Sequence, residues 1–348
     1  MKGMIKMLNF AIIGFGGLGK VHFRNLKTVY EFEKDINLVA ICDVEESALS
    51  SQVQMNISAE NAYLDVTKYK YYKDAEEMFD KEQLDFVITA LPTYLHAPIA
   101  IMAMERGIHV FSEKPMAVSV EQAQEMLDAA KKNNVKLLIG QCIRYFPSYN
   151  AVKKLVETEE YGKVRFANFV RWSMLPKWSW QDWFVDEKKS GGVVLDLHVH
   201  DLDYISYVFG KPKSVYTKSS HNFVDHDTIV TLFNYDGMVV SGSSTWGMQT
   251  KYPFTAEFTV AFERATVELK RDKLMIYTET EAKELEASYK ILGLPTDDGY
   301  VNEMIDFIEC IKNDTESKIN PPEASKLTVD IAYAEKQSAI EGREVEII

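Results

Sequence analysis

The sequence has few cysteines and no long apolar run. Its 348 residues include three cysteines, Cys42, Cys142 and Cys310, which lie far apart along the chain. An odd number at this spacing argues against a disulfide framework and favours free thiols in a reducing compartment. A transmembrane helix needs about 18 or more consecutive apolar residues, and no such run is present. We therefore expect a cytoplasmic protein with no membrane partner.

Basic residues are also in short supply. The chain has 39 lysines and arginines against 52 acidic residues, which gives a net charge of −13. This balance argues against nucleic acid as a partner and against an anionic membrane surface. The hydrophobic content of 46% excludes a disordered chain. Because 348 residues exceed the usual size of one hydrophobic core, we expect two domains.

A glycine cluster follows a short apolar run near the N-terminus. Residues 8–13 are almost continuously apolar, as a strand buried on both faces requires. Gly14, Gly16 and Gly19 then match G-x-G-x-x-G. In the dinucleotide-binding form of this pattern, the glycines permit a tight turn, close approach of a pyrophosphate and close helix packing. The apolar run is too short for a signal peptide, and no small-residue cleavage site follows it.

The glycine pattern alone also marks ordinary strand-to-helix turns, so the residues after it decide between the two interpretations. Residues 37–42 form a second apolar segment that ends in Asp43, 24 positions past Gly19. A carboxylate there accepts hydrogen bonds from the ribose hydroxyls of NAD and repels the 2′-phosphate of NADP, although a helix cap is the alternative for Asp43. We predict an NAD site, with NADP less favoured, on Asp43 and on the glycine turn: Gly14, Phe15, Gly16, Gly17, Leu18 and Gly19.

Two later strands also end in polar residues. Residues 84–90 run into a proline-containing turn, which places that turn at the carboxyl end of the sheet, where ligands bind in open α/β folds. A further strand ends in Lys114 followed by Pro115, which restricts the lysine backbone. An ammonium held there can stabilise an alkoxide as it forms, whereas the alternative is a solvated loop lysine. Predicted cofactor contacts at these two strand ends are Leu91, Pro92, Thr93, His96, Glu113 and Lys114.

The order of these motifs, GFGGLG, Asp43, LPTYLHAP and SEKP, resembles the Gfo/Idh/MocA family of NAD(P)-dependent oxidoreductases. That family includes glucose-fructose oxidoreductase and inositol dehydrogenase, and the resemblance covers nearly the whole chain. It implies that Lys114 belongs to the family's Glu-Lys-Pro signature and reaches the substrate hydroxyl. It also implies a homodimer or homotetramer formed through the outer face of a C-terminal sheet.

Strand-like runs replace the alternation of helices and strands after residue 141. These runs lie at 163–174, 214–219, 228–233, 238–245, 254–262, 265–269 and 274–277. The turn 234–237 carries a hairpin signal, and helices are expected at 300–312 and 322–340. We predict an α/β fold class with an N-terminal Rossmann dinucleotide-binding domain (1–142) and a C-terminal α+β domain (143–348) with a mostly antiparallel open sheet. The last helix is able to pack back on the first domain.

The most informative stretch of the second half contains an Asp-x-x-x-His pair. On a helix at about 100° per residue, Asp196, His200 and Asp203 share one face, while His198 points toward the apolar stripe. In the resembled family such a pair works with the Glu-Lys-Pro lysine. The resemblance thus implies that His200 is the general base, because an imidazole titrates near working pH. It implies that Asp196 orients the base or binds substrate; His198 is predicted to be a buried structural residue.

Two other interpretations of this segment remain open. His198 and His200 also form a His-x-His pair of the kind that binds metal in amidohydrolase barrels, which need further ligands at later strand ends. The only later histidines are His221 and His226, and eight βα repeats are absent, so we predict no metal site. The second alternative is a helix with a solvated polar face.

Four of the five tryptophans lie in residues 171–184. Aromatic faces beside polar groups suit the C–H faces and hydroxyls of sugars or ring polyols, although a packed loop or a subunit interface accounts for them equally well. Arg171 and Lys177 are further candidates for polar contacts. The predicted substrate contacts are Arg144, Tyr145, Trp172, Trp183, Asp196, His200 and Asp203.

These features together predict an NAD-dependent dehydrogenase that oxidises a secondary hydroxyl of a sugar, a sugar derivative or a cyclic polyol. One alternative is a redox-assisted glycoside-cleaving enzyme, which oxidises a sugar carbon transiently and recycles its NAD. The other alternative is a non-catalytic NAD-binding regulator. The joint presence of Lys114, Asp196 and His200 disfavours that last alternative.

Overall fold

A computed structural model describes residues 6–51, 65–176, 179–221, 224 and 226–347. The chain forms two compact units. The first comprises Met1–Ala117, Glu121–Gly140 and Tyr300–Glu323, and the second comprises Val118–Val120, Gln141–Gly299 and Ala324–Ile348. Because Tyr300–Glu323 belongs to the first unit, the two units do not divide at a single point in the chain.

The secondary structure follows the expected order. The helices are α1 (Gly17–Phe32), α2 (Ala75–Lys81), α3 (His96–Met104), α4 (Val120–Asn133), α5 (Pro147–Thr158), α6 (Glu187–Ser190), α7 (Val199–Phe209), α8 (Tyr289–Leu292), α9 (Gly299–Asn313) and α10 (Pro322–Glu341). The strands are β1 (Leu8–Ile13), β2 (Ile36–Cys42), β3 (Lys70–Tyr72), β4 (Phe86–Thr89), β5 (His109–Glu113), β6 (Leu137–Gly140), β7 (Val164–Trp172), β8 (Ser214–Ser220), β9 (Thr228–Tyr235), β10 (Met238–Thr245), β11 (Thr255–Phe262), β12 (Thr266–Lys270), β13 (Lys273–Tyr277), β14 (Ala282–Glu284) and β15 (Val345–Glu346).

The first unit is built on a six-stranded parallel sheet of order β3-β2-β1-β4-β5-β6. This is the strand order of a doubly wound dinucleotide-binding fold, in which the order reverses between β1 and β4. All residues of β4 and β6 are buried, as parallel strands covered on both faces require. The structure confirms the predicted Rossmann domain, and it places the carboxyl ends of β1, β2, β4 and β5 along one edge of the sheet.

Aromatic side chains fill the core of the first unit. Phe10 of β1 and Phe86 of β4 stack with ring centroids 4.6 Å apart. Phe307 of α9 meets the edges of Phe86 at 5.8 Å and of Phe111 at 5.9 Å. A helix from far along the chain thus completes the core beneath the central strands.

The second unit contains a nine-stranded sheet of order β14-β13-β12-β11-β7-β10-β9-β8-β15. Neighbouring strands are antiparallel except for β7 and β10, which run parallel. The hairpin between β9 and β10 pairs Tyr235 with Met238 and turns at Gly237, whose φ is +74°. The structure therefore confirms a mostly antiparallel sheet and the predicted hairpin turn.

Three short strands and one helix start differ from the expectations. β3, β14 and β15 are only two or three residues long, which is too short for an alternating pattern to be recognised in the sequence. The sequence predicts a helix from Pro98 to Arg106, whereas α3 begins at His96, two residues earlier, because proline is tolerated within the first turn. In the ranges that the structure describes, no helix is both long and apolar enough to cross a membrane.

We predict that Phe307→Ala will strongly destabilise the first unit. Phe307 is 1% exposed and contacts two other core phenylalanines. Truncation should lower the free energy of unfolding of this unit by about 3 to 5 kcal/mol, as measured by urea titration with circular dichroism. The matched control is Phe32→Ala on α1, which is 48% exposed and should change the value by about 0.5 kcal/mol or less. Equal losses for both variants would contradict the packing described.

Candidate functional site

The turn between β1 and α1 is so tight that two of its positions accept only glycine. Gly14 has a φ of +86°, and a Cβ there would lie 2.4 Å from the carbonyl oxygen of Ala90. A Cβ on Gly19 would lie 2.0 Å from the carbonyl oxygen of Gly14. Such distances exclude any side chain without movement of the backbone. Backbone therefore packs directly on backbone where β1, α1 and β4 meet.

Gly16 differs from its neighbours because open space surrounds it. A Cβ on Gly16 would meet nothing within 4 Å, and the residue is the N-cap of α1. The first N–H groups of a helix are free to bind an anion, and the helix dipole favours negative charge there. An exposed glycine at such a helix start fits a dinucleotide pyrophosphate. Gly17 and Leu18 are half-buried in the first turn of the helix.

Asp43 lies directly after β2 and is anchored to the glycine turn. One of its carboxylate oxygens accepts the N–H of Phe15 at 2.7 Å, and the other accepts the N–H of Glu45 at 2.9 Å. The structure thus brings Asp43 and the predicted turn together. The ring of Phe15 is fully buried, so this residue presents only backbone toward a ligand. Burial lowers the pKa of Lys20, which donates to Ser51 and lies close enough to Asp43 to feel its charge.

The turn after β4 contains both accessible and buried residues. Leu91 and Pro92 are half-buried, whereas Thr93 and His96 are 1% exposed. The two ring nitrogens of His96 lie 2.7 Å from the carbonyl oxygen of Pro115 and 2.8 Å from that of Leu91. The sequence predicts His96 as a cofactor contact, and in the structure both of its ring nitrogens face these carbonyl oxygens.

The Glu-Lys-Pro motif follows β5 at the same edge of the sheet. Glu113 is 2% exposed, and its carboxylate lies 2.6 Å from Nε2 of the buried His22. Glu113 was also expected to contact the cofactor, but its carboxylate has this internal partner. Lys114 is half-buried. Sequence reasoning missed His22, whose only signal was its position three residues past Gly19.

In the second unit, the predicted acid-base pair, Asp196 and His200, lies in a segment that is otherwise buried. Every residue from 191 to 206, all of which the structure describes, is buried except Asp196 and His200. Asp196 lies in a π-helical turn, Val194–His198, that leads directly into α7. π-turns occur mostly as local features and often at functional sites. The structure therefore leaves these two side chains, and none of their neighbours in this range, partly open to solvent.

His198 lies on the opposite side of the same segment and is fully buried, as expected. Its Nδ1 is 2.7 Å from Oγ of Ser244, and its Nε2 is 3.3 Å from a carboxylate oxygen of the fully buried Glu335. Burial opposes protonation, but the carboxylates of Glu335 and Asp201 outweigh it and raise the pKa of His198. His198 therefore links the π-helical turn to Ser244 of β10 and to Glu335 of α10.

Two buried ion pairs hold α7. Arg144 binds Asp203 through two hydrogen bonds of 2.7 and 2.8 Å. Arg171 binds Asp201 in the same way at 3.0 and 2.9 Å. Burial opposes each guanidinium charge, but the facing carboxylate more than offsets it and raises the pKa of both arginines. The sequence predicts Arg144 and Asp203 as substrate contacts, and the structure pairs them with each other. Sequence reasoning did not identify Asp201 as the partner of Arg171.

The structure describes residues 171–176 and 179–184 of the tryptophan-rich stretch. Trp172 donates to Oγ of Ser243 at 3.2 Å, and Trp183 stacks on Phe184 at 4.1 Å between centroids. Tyr145, a predicted substrate contact, is 1% exposed. Lys177, a candidate for a polar contact, and Trp178, one of the four tryptophans of this stretch, lie outside the described residues.

A metal site is not evident in the part of the chain that the structure describes. No group of three or more His, Cys, Asp or Glu side chains there could hold a metal ion. The two sheets described above also exclude the (β/α)₈ barrel that the amidohydrolase interpretation requires.

A parallel sheet of this order, with a glycine-rich turn and a carboxylate after β2, defines an NAD-binding Rossmann domain. Comparison with known protein families also identifies an NAD-binding Rossmann domain. Residues 8–141 match the description "Oxidoreductase family, NAD-binding Rossmann fold", and residues 149–268 match "GFO/IDH/MocA C-terminal domain". The chain belongs to the Gfo/Idh/MocA family of oxidoreductases.

The named relatives include dehydrogenases and hydratases. Myo-inositol 2-dehydrogenase of Thermotoga maritima is 24% identical over 351 residues, covering 98% of this chain and 98% of the relative. The 2,7-anhydro-N-acetylneuraminate hydratase of Mediterraneibacter gnavus is 28% identical over 206 residues, 59% of this chain and 50% of that enzyme. Among solved structures, levoglucosan dehydrogenase in complex with NADH and levoglucosan superposes with a TM-score of 0.84 at 20% identity, covering 98% and 99% of the two chains.

We predict that Asp43→Ser will relax the discrimination against NADP. The variant removes the negative charge that opposes a 2′-phosphate, and it removes a charged acceptor for the ribose hydroxyls. NAD affinity should fall by about 1.5 to 3 kcal/mol, or about tenfold and more, while NADP affinity should fall less or rise. Calorimetric titration with both nucleotides measures this. Asp186→Ser, at the start of α6, is the control; an unchanged NAD preference in Asp43→Ser would overturn the ribose assignment.

Proposed function

We propose that this protein is an NAD-dependent dehydrogenase that oxidises a secondary hydroxyl of a sugar, a sugar derivative or a cyclic polyol. One observation carries the proposal: within the buried stretch 191–206, Asp196 and His200 are the residues left accessible. A helix with a solvated polar face would expose several more residues than these two. Two titratable side chains kept open amid buried neighbours are typical of a reactive site.

In the proposed reaction, His200 accepts the proton of the substrate hydroxyl. Asp196 orients that imidazole and stabilises the charge that it acquires, since a carboxylate beside a histidine favours the protonated ring. Lys114 stabilises the developing alkoxide with its ammonium group. NAD, when bound, accepts the hydride that leaves the hydroxyl-bearing carbon, and the products are a ketone, NADH and a proton.

The substrate class rests on the relatives and on the aromatic residues. Those relatives are named for myo-inositol and levoglucosan, which are ring polyols or anhydrosugars. The stacked pair Trp183 and Phe184 offers a flat apolar face of the kind that packs on the C–H face of a sugar ring. A ring polyol or an anhydrosugar is therefore the first substrate to test.

A second reaction type is supported by the hydratases among the relatives. The name of the Mediterraneibacter gnavus enzyme describes a hydration, which is not a net oxidation. A transient oxidation at one sugar carbon, with NAD regenerated in the cycle, would use the same groups on Lys114, Asp196 and His200. Net NADH formation separates the two reactions, because it accompanies only the dehydrogenase reaction. A non-catalytic regulator is disfavoured, since it has no need of an accessible acid-base pair.

We predict that Lys114→Ala and His200→Ala will each lower kcat by about 100-fold or more while NAD affinity stays nearly intact. Wild-type protein is first tested for NADH formation with myo-inositol, scyllo-inositol, levoglucosan and glucosides, and products are analysed by mass spectrometry. Lys132→Ala, an exposed lysine on α4, is the control and should keep the wild-type rate. If both active-site variants kept full rates on the best substrate, the assigned roles would be wrong.

The outer face of the nine-stranded sheet is the proposed subunit contact. The exposed face of strand β9 carries Val230 and Leu232, each 51% exposed. Tyr216 is the register partner of Leu232 on β8, and Val239 on β10 is 57% exposed. Several large apolar side chains exposed on one face of a sheet favour an interaction surface there. We therefore propose a homodimer or a homotetramer that buries it.

We predict that Leu232→Glu will weaken this assembly and leave the fold intact. A charge in the middle of a desolvated apolar contact is costly unless it is paired. Sedimentation velocity should show a smaller species for Leu232→Glu than for the wild type, with an unchanged circular dichroism spectrum. The control is Ile291→Glu on α8, which is 53% exposed. An unchanged sedimentation coefficient for Leu232→Glu would exclude this face as the contact.

The cytoplasm remains the proposed compartment. Cys42, Cys142 and Cys310 are buried and form no disulfide bond. Burial, together with the nearby acidic groups, raises the pKa of Cys42 to about 12 and that of Cys310 to about 11. Thiols of this kind are unreactive and suit a reducing environment.

A further inference from the structure

We propose that two buried histidines, His22 and His96, are positioning residues that hold the backbone of Lys114 and Pro115 from opposite ends. The inference rests on the proposed role of Lys114 as the group that stabilises the alkoxide. Neither histidine is accessible to a ligand, since His22 is 0% and His96 is 1% exposed. Each acts through hydrogen bonds to the Glu-Lys-Pro segment.

His22 holds the first end through Glu113. The carboxylate of Glu113 lies 2.6 Å from Nε2 of His22 by one oxygen, and by the other it accepts the N–H of Lys114 at 3.2 Å. A carboxylate can only accept, so the His22 nitrogen that faces it is the donor. His22 belongs to α1, the helix that begins at the glycine turn. The cofactor-binding helix and the backbone of Lys114 are therefore joined by one buried carboxylate.

The surroundings leave this carboxylate little freedom. A Cβ on Gly140, at the end of β6, would lie 3.2 to 3.4 Å from the carboxylate atoms of Glu113. The His22 ring is held by edge contacts with Phe111 at 5.3 Å and with Tyr300 at 6.3 Å. Close packing on both partners fixes the geometry of the pair, as it does for well-supported functional groups.

His96 holds the second end. Its Nδ1 lies 2.7 Å from the carbonyl oxygen of Pro115, and its Nε2 lies 2.8 Å from that of Leu91. Only an N–H can donate to a carbonyl, so a singly protonated ring serves one of them and a fully protonated ring serves both. The ring thereby links the turn after β4 to the residue that follows Lys114. Burial lowers the pKa of His96, and the two carbonyls oppose this effect.

Fixing the backbone matters because the side chain of lysine is long and flexible. An ammonium on a four-carbon stem samples many positions, and restricting its Cα limits them. Displacement of a catalytic group by about 1 Å can cost about 100-fold in rate. Two independent hydrogen-bonded supports on a two-residue segment are the arrangement that would prevent such displacement.

Amide side chains can mimic one histidine nitrogen at a time, which supplies matched variants. The NH₂ group of asparagine takes the place of Nδ1, and that of glutamine takes the place of Nε2. His22→Gln therefore keeps the donor to Glu113, and His22→Asn loses it. For His96 the order is reversed, because Asn keeps the link to Pro115 and Gln keeps only the link to Leu91.

We expect His22→Asn and His96→Gln to lower kcat by about 10- to 100-fold, with little change in KM or in NAD affinity. The opposite amides, His22→Gln and His96→Asn, should restore most of that loss. The crossed result, in which Gln rescues one site and Asn the other, is not expected from general destabilisation, and thermal unfolding of all four variants checks this. In a Lys114→Ala background, His22→Asn should produce no further loss, since it acts through Lys114.

Hydrogen exchange gives a readout that needs no turnover. Mass spectrometry of the peptide that covers residues 110–118 should show faster exchange in His22→Asn and His96→Gln than in the wild type, and near wild-type exchange in the matched amides. Unchanged exchange and unchanged kcat in both disruptive variants would overturn the inference. A wild-type protein that oxidises no substrate of the panel would instead overturn the proposed function, while the exchange data would still decide whether the histidines hold this segment.

Discussion

Direct packing of backbone on backbone at the glycine turn is the constraint on which the nucleotide-binding unit depends. With no Cβ at Gly14 or Gly19, the end of β1 comes into contact with the start of α1 and with Ala90 after β4. This closeness aims the first N–H groups of α1 into the open space at Gly16. It also brings Phe15 within hydrogen-bonding distance of Asp43, so one steric condition sets the positions of the predicted phosphate-binding and ribose-binding residues.

In the second unit, buried ion pairs hold helix α7 in position. The helix that bears His200 is anchored by Arg144 with Asp203 and by Arg171 with Asp201. Such pairs contribute little net stability over apolar residues of similar volume, but the loss of one partner is costly. Their benefit is a defined orientation of α7. The carboxylates of Asp201 and Asp203, next to His200 in the sequence, are thereby already paired.

Much of the fold was readable from local patterns. Strands β1, β2, β4 and β5 and the two C-terminal helices were predicted because burial imposes continuous apolar runs or a period of 3.6 residues on the sequence. The hairpin at Gly237 was predicted from its turn residues. The ion-pair partner of Asp203 was not readable in this way. A uniform helix phase placed Asp203 beside His200, yet its carboxylate lies buried against Arg144, a residue 59 positions away. Helix phase alone shows which residues share a face, but not which face meets a partner.

The sequence by itself determined the class of the protein, because a glycine turn, a strand-end aspartate and an apolar period are requirements that a few adjacent residues satisfy. Only the tertiary structure decided which polar residues are internal partners and which remain accessible. His22 and Glu113 are 91 positions apart, and His198 meets Glu335 from another helix. Partners of this kind depend on the paths of whole strands and helices through the core. No short stretch of sequence contains that information.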